Sequence, residues 1–395
     1  MKNRPEWLDY PESQTLFAAI ENAGGVARFV GGCVRDAFFN KVSADLDVCT
    51  DMLPNDVMSA LASADFKVFP TGLDHGTITA VLNDRKFEVT TLRLDVQNHG
   101  RRATVAFTKD FQEDAARRDF TFNALSMDIT GKLYDYFQGL EDLKAGRVRF
   151  IGRPEERIAE DYLRILRFFR FFARFGRGVA DKDAIKACEA ARPNLTSLSL
   201  ERVTMELRSL FSVSDPFDSL MLMEECGVRK TLLPGKIYKD RLKRALPFID
   251  DPLIRLAVYF GADAEWVRQL PKYLRLSVRS QAFLEKICQE PLGADLDKRH
   301  LKRIAYWKGL DVVKTQCLIL KAEASEEDTA NKYLEYLDGW KPPAFDLKGR
   351  DMLSLGFPAG PAVGKILGKL EKEWVESDFT LPKSELLSKA KQLKP

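Results

Sequence analysis

Histidine is nearly absent from the 395-residue chain: only His75, His99 and His300 occur, each isolated. So few histidines cannot assemble the His and Asp ligand cluster of a metal phosphohydrolase. The six cysteines (Cys33, Cys49, Cys188, Cys226, Cys288, Cys317) include no C-x-x-C pair, which argues against a zinc ribbon and against a secreted disulfide framework. Reduced thiols are the expectation. No uninterrupted stretch reaches the roughly 18 apolar residues of a membrane span, and the opening Met1-Lys2-Asn3-Arg4-Pro5-Glu6-Trp7-Leu8-Asp9 sets acids where a secretory signal needs an apolar run. These features predict a cytoplasmic protein without a membrane partner. There is no internal repeat at a fixed period and no low-complexity segment, so a solenoid is not expected.

An excess of one charge sign is lacking too. Lys+Arg 61 against Asp+Glu 58 leaves +3, a total that neither demands nor excludes a polyanionic partner. The distribution says more, because residues 1–150 carry 18 basic and 22 acidic side chains, a net of −4, and the remainder carries +7. At about 150 residues per domain the length suggests two to three domains, and 45% hydrophobic with 30% charged residues is an ordinary globular balance.

The first 150 residues mix short β-like runs with helical ones. Ala27–Val30 runs into Gly31-Gly32, a helical stretch Cys33–Phe39 follows, and Asp45–Cys49 alternates as a strand. Gly76–Leu82 and Phe87–Arg93 alternate around Asn83-Asp84-Arg85-Lys86, the pattern of a hairpin. From Glu155 onward no strand is expected. Helical periodicity dominates in Glu155–Phe175, Ser199–Phe211, Pro216–Cys226, Asp251–Phe260, Leu301–Trp307, Glu326–Leu337 and Pro361–Trp374. The fold class that follows is α+β, a small mixed sheet with helices and then an all-α remainder.

Asp45 and Asp47 lie two apart on one strand, so both carboxylates project from one face. Two like charges that close repel unless a cation lies between them, and Mg²⁺ takes oxygen ligands. Glu88, on the second strand of the hairpin, could supply a third oxygen. Such a cluster can hold metals that activate an attacking hydroxyl and stabilise a leaving pyrophosphate. Gly31 and Gly32 let backbone approach a triphosphate, and Arg35 would neutralise its charge. By itself a D-x-D also suits a solvated strand edge.

Arg117-Arg118-Asp119-Phe120-Thr121-Phe122-Asn123-Ala124 offers paired arginines for a triphosphate, with Asp119 and Asn123 one helical turn apart to bond a ribose hydroxyl. An Arg-Asp ion pair capping a helix fits the same residues. In Glu160–Arg170 the spacing puts Asp161 three residues before Arg164, and Arg164, Arg167, Arg170 and Arg174 form one stripe. A solvated basic face is one reading. The other is base recognition: cytosine and adenine each present an exocyclic amine beside a ring-nitrogen acceptor, and uracil and guanine present the reverse. One Asp acceptor beside one Arg donor therefore reads C or A and rejects U and G without a template.

In combination these elements resemble the polymerase-β-like nucleotidyltransferase superfamily. Val30-Gly31-Gly32-Cys33-Val34-Arg35-Asp36 looks like the GG-x-VRD element of class II tRNA nucleotidyltransferases, the CCA-adding enzymes, and of related bacterial poly(A) polymerases. Arg117–Ala124 resembles the family's RRDFT-x-NA, which separates ribonucleotides from deoxyribonucleotides, and Glu160-Asp161-x-x-Arg164 its ED-x-x-R base reader, with Arg167 and Arg170 toward triphosphate or base edge. Leu94–Asp110 resembles its flexible loop, Ser199–Leu207 its ER-x-x-x-E helix with Ser199 as N-cap, and Lys348–Gly364 its G-x-DL…PGP-x-G tail. Tyr162 departs from the family's usual Pro or small residue.

The resemblance implies a head (1–150), a base-reading neck (151–235) and a helical body and tail (236–395) that holds tRNA. In that last region Lys239, Arg241, Lys243, Arg244, Lys272, Arg275, Arg279, Lys298, Arg299, Lys302 and Arg303 suit a polyanion. The implied activity is template-independent addition of C, C and A to the tRNA 3′ end from CTP and ATP with Mg²⁺, and no DNA partner. A poly(A) polymerase, a CC-adding enzyme and a non-catalytic RNA-binding protein on the same head stay open as alternatives.

Overall fold

Among the described residues nine strands form, all in the first part of the chain: β1 (Ala27–Val30), β2 (Leu46–Thr50), β3 (Lys67–Gly72), β4 (Thr77–Leu82), β5 (Arg85–Thr91), β6 (Arg93–His99), β7 (Arg102–Phe107), β8 (Ser126–Met127) and β9 (Leu133–Tyr134). The computed structural model describes residues 4–41, 45–99 and 102–393. Seven strands pair into one mixed sheet in the order β3-β4-β5-β2-β1-β8-β9, and β6 and β7 form a separate ribbon. The expected hairpin is β4–β5. Its turn is tighter than expected, because Arg85 and Lys86 already pair with Leu82 and Val81, while Asn83 and Asp84 take φ of 46° and 64°, the left-handed pair a type I′ turn requires. Leu94–Asp110, expected as a loop, is mostly the β6–β7 ribbon; its Gly100 and Arg101 lie outside the described residues.

Helices α1 (Pro11–Asn22), α2 (Gly32–Ala37) and α3 (Pro54–Ala62) belong to this sheet. Pro11 and Pro54 stand in the first turn of α1 and α3, where a missing N–H costs nothing. Phe17 and Ile20 of α1 and Val57 and Leu61 of α3 bury with Phe29, Val48, Ile78 and Phe87 from the strands. The Phe29 ring lies 4.4 Å from Trp7 and 4.7 Å from Phe17, so its truncation would cost about 3–5 kcal/mol.

A second aromatic core welds the RRD segment to the helix α7. The helices here are α4 (Phe111–Ala116), which precedes the segment, and α5 (Gly139–Ala145), α6 (Pro154–Glu160), α7 (Leu163–Phe175), α8 (Lys182–Ala191) and α9 (Leu200–Phe211), which follow it. Phe120 lies 4.6 Å from Phe150 and 5.3 Å from Phe171, and Phe122 lies 5.4 Å from Phe171. Helix α5 comes so close that a Cβ on Gly139 would sit 2.2 Å from the Thr121 carbonyl oxygen. Asp142 of α5 is fully buried and accepts from Thr121 Oγ1, Arg147 Nε and Arg149 Nε at 2.7–2.9 Å.

The single helix expected over Glu155–Phe175 is in fact two. Asp161 takes φ −155° and ψ 106° between α6 and α7, an extended residue that ends one helix before the next begins. Helix α9 packs along α7. Ser199 occupies its N-cap position but makes no side-chain cap bond, unlike Asp181, whose carboxylate accepts from Asp183 N and Ala184 N at the start of α8.

The chain divides into two units, Met1–Pro234 and Gly235–Pro395. The segments expected as head and neck lie together in the first. Among its described residues the second holds helices and no strand, from Lys239–Ala245 to Lys383–Gln392. Its later helices gather around one cluster containing Leu301, Val313 and Tyr333 and another containing Met352, Leu370 and Trp374. Arg241 pairs with Glu323 at 2.6 Å, and Arg244 donates to the Ala322 carbonyl at 2.7 Å, so these two expected polyanion contacts are taken up within the unit. In the tail segment Asp351 accepts from Lys348 N at 2.8 Å and pairs with Lys383 at 3.1 Å. No helix among the described residues is long and apolar enough to cross a membrane.

Candidate active site

A cleft of about 750 Å³ opens in the first unit. Thirteen of the fifteen expected site residues line it: Gly31, Gly32, Arg35, Asp45, Asp47, Arg117, Arg118, Asp119, Asn123, Asp161, Arg164, Arg167 and Arg170. Glu88 and Glu160 do not. Leu163, Phe171 and Arg202 line it as well, none of them among the expected site residues. Seven arginines against four aspartates make the lining net positive, which suits a polyphosphate.

The carboxylates stand at the parallel pairing of β2 with β5. Asp47 of β2 lies abreast of Glu88 of β5 in the parallel register, and Asp45 immediately precedes β2. Burial pushes the Asp47 carboxyl above its ordinary value, and the neighbouring Glu88 and Asp45 charges push it the same way against Arg118. Glu88 is half exposed and pairs with Lys86 at 2.6 Å. Among the described residues no three acidic, His or Cys side chains converge as a ready metal cage. The donors on hand are nonetheless all oxygen, as a hard divalent cation requires, and mutual repulsion at Asp47 is what such a cation would relieve.

The raised value at Asp47 sets a sign for stability. A carboxyl whose folded value lies above its unfolded one, about 3.9, favours the fold fully only below that unfolded value, and the favour is lost as pH rises through the folded one. At neutral pH, therefore, Asp47→Asn is expected to raise the Tm of the chelator-treated protein, and an added divalent cation should raise the Tm of the parent but not of the variant. Differential scanning fluorimetry checks both; a lower Tm in the variant would refute the sign.

Gly31 takes φ 74°, a conformation that suits glycine, and its N–H is already spent on the Leu125 carbonyl at 3.2 Å. Arg35 is only 6% exposed: Nε meets Asp36 at 2.8 Å and Nη1 donates to Asn123 Oδ1 at 2.6 Å. Asn123 Nδ2 in turn donates to Asp119 Oδ1 at 2.9 Å. These last two residues are not a helical turn apart as expected; Asn123 closes a 3₁₀ turn, Thr121–Asn123, that follows Phe120. Burial pushes the Asp119 carboxyl up, but Arg167 and Asn123 outweigh it and hold the value below the ordinary range. Arg117 and Arg118 share one buried acid, Asp114, at 2.7 and 2.9 Å.

The arginine stripe of α7 is not a solvated face. Arg164 meets Glu160 at 2.5 Å, Arg167 meets Asp119 at 2.5 Å, Arg170 meets Glu206 at 2.6 Å and Arg174 meets Asp36 at 2.9 Å. Glu160 thus acts from outside the cleft by holding Arg164. Asp161 accepts from Leu163 N at 3.1 Å and from Arg202 Nη2 at 2.6 Å.

Residues 27–149 match the poly A polymerase head domain family, and residues 181–237 match a family described as the probable RNA and SrmB-binding site of polymerase A. Over 381 residues the chain is 37% identical to CCA tRNA nucleotidyltransferase 1, mitochondrial, of Danio rerio, covering 92% of this chain and 87% of that protein. The chain belongs to the CCA tRNA nucleotidyltransferase family. The Mus musculus protein of the same name is 32% identical over 410 residues, covering 98% of this chain and 93% of that one. The crystal structure of the Bacillus stearothermophilus CCA-adding enzyme in complex with CTP superposes with a TM-score of 0.77 at 26% identity, covering 93% of this chain and 94% of that one. The mixed sheet described above is the family's polymerase-β-like head, and a helical body follows it. For a CCA tRNA nucleotidyltransferase family member, the side chains that sequence reasoning passed over are Asp114, Arg202 and Glu206. Each is a counter-ion for an expected residue, and only Arg202 and Glu206 carried a signal, their place in the ER-x-x-x-E helix.

Proposed function

We propose that this protein adds C, C and A to the 3′ end of tRNA from CTP and ATP, without a nucleic acid template, releasing pyrophosphate. The observation that carries the reading is that Asp161 and Arg164, an acceptor and a donor, line the same cleft as Asp45 and Asp47. Base selection and phosphoryl transfer then share one site.

Asp45 and Asp47 would hold Mg²⁺, which in such a site lowers the pKa of the attacking hydroxyl and offsets charge on the leaving pyrophosphate. Arg117 and Arg118, aimed by Asp114, bind the triphosphate. Asp119 and Asn123 meet the ribose. Asp161 accepts from the exocyclic amine of cytosine or adenine while Arg164 donates to the adjacent ring nitrogen, so uracil and guanine leave both side chains unpaired. Six buried thiols support a reducing compartment, which we take to be the cytoplasm; recovery of a tagged chain with mitochondria would overturn that assignment.

The test is a product-length gel with a tRNA transcript that lacks CCA. CTP alone should add two nucleotides, ATP alone none, and both together three. Long A tracts would identify a poly(A) polymerase, arrest at two nucleotides with both present a CC-adding enzyme, and no extension with Mg²⁺ would overturn the reading altogether.

A further inference from the structure

Helix α9 carries two opposite charges one turn apart, Arg202 and Glu206, and both meet the base-reading segment. Arg202 Nη2 donates to Asp161 Oδ2 at 2.6 Å. Glu206 Oε2 accepts from Arg170 Nε at 2.6 Å, and its Oε1 lies 3.7 Å from Arg167 Nη1. One helix thereby grips three side chains of its neighbour with complementary signs.

The grip matters because of the break between α6 and α7. Asp161 is extended there, so helical spacing does not set its side chain against Arg164. The Leu163 N–H fixes one carboxylate oxygen, and the other is fixed from α9. Arg164 is held on its own account, by Glu160 and by the Arg157 and Arg117 carbonyls at 2.9 and 3.3 Å. The acceptor and the donor are therefore anchored to different bodies, and the packing of α9 on α7 sets their relation.

We infer that Arg202 is a positioning residue for base selection: through Asp161 it aims the acceptor that meets the exocyclic amine of the incoming nucleotide. The inference rests on the function proposed above. A guanidinium is donor only, so Arg202 meets the Asp161 carboxylate as an acceptor, the polarity that turns away a keto oxygen. A carboxylate free to rotate could swing clear of uracil O4, and the penalty against the wrong base would fall. Glu206 has the separate task of holding Arg167 and Arg170, which on this proposal face the triphosphate and not the base edge.

The experiment uses the full chain with Arg202→Ala, Arg202→Met, Arg202→Lys and Glu206→Gln. Single-turnover incorporation of CMP and UMP into a tRNA transcript lacking CCA is measured beside the Tm of each variant. In Arg202→Ala the preference for CMP over UMP should fall by at least about tenfold, the value of one charge-assisted bond, and Arg202→Lys should regain part of it. Arg202→Met keeps the stem without the charge and should behave as the alanine variant does, so it decides the matter if the alanine variant does not fold. Glu206→Gln should lower kcat/KM for CTP and ATP alike with the preference intact. A folded Arg202→Ala or Arg202→Met protein that rejects UTP as well as the parent does overturns the inference, whereas a parent that extends no tRNA overturns the function on which it rests.

Discussion

Asp45→Ala is expected to abolish transfer of both CMP and AMP, with single-turnover rates at least about 10³-fold below the parent. A bound divalent cation contributes several kcal/mol of transition-state stabilisation, and each 1.36 kcal/mol is tenfold in rate, so losing one of the two carboxylates on the proposed metal is enough for that loss. Binding should separate from chemistry. The arginines that would take the triphosphate are aimed by Asp114, on α4 rather than β2, so the variant should still bind CTP in an equilibrium measurement. Turnover within tenfold of the parent would mean that Asp45 does not hold the metal.

Asp161→Ala acts on choice rather than on chemistry. Without the carboxylate, uracil O4 and guanine O6 no longer face a like-charged acceptor, and the matched amines of cytosine and adenine lose their partner. The ratio of CMP to UMP incorporation is expected to fall by about 10–100-fold, mostly through slower CMP addition and partly through new UMP addition. Stability should hardly move, because the Asp161–Arg202 pair is about one-third exposed on both sides, where an ion pair contributes at most about 1 kcal/mol. Competition assays with all four nucleotides, beside a melting curve, read both quantities. A variant that keeps the parent's rejection of UTP and GTP would remove Asp161 from base reading.

Much of this arrangement is legible in the residues alone, and the parts that are not share a physical cause. Period-2 runs located β2, β4 and β5, and the polar run Asn83-Asp84-Arg85-Lys86 marked their connection, two residues longer than the turn itself. Strands β8 and β9 are two residues each, too short for a period to register, yet they extend the sheet beyond β1. The break at Asp161 left no trace because Tyr162 is no helix breaker and the apolar spacing runs on through it. The cleft residues were found where a motif is local. The long-range pairings were not: Arg167 meets Asp119 from 48 positions away and Arg170 meets Glu206 from 36, distances over which side-chain spacing says nothing until the helices are packed. The same blindness made the α7 arginines look available for solvent.

The parallel pairing of β2 with β5 bears also on the order in which the molecule assembles. Asp47 and Glu88 become neighbours only after the chain between them, with α3, β3 and β4, has closed a loop of about forty residues, the kind of distant contact that slows folding. Joining those strands also brings two carboxylates abreast, so this step in sheet formation proceeds against their repulsion. Local turns and the β4–β5 hairpin have no such handicap and are placed to form first. The complete acidic cluster is thus a late arrival in the life of each chain, because in an unfinished head Glu88 does not yet stand beside Asp47.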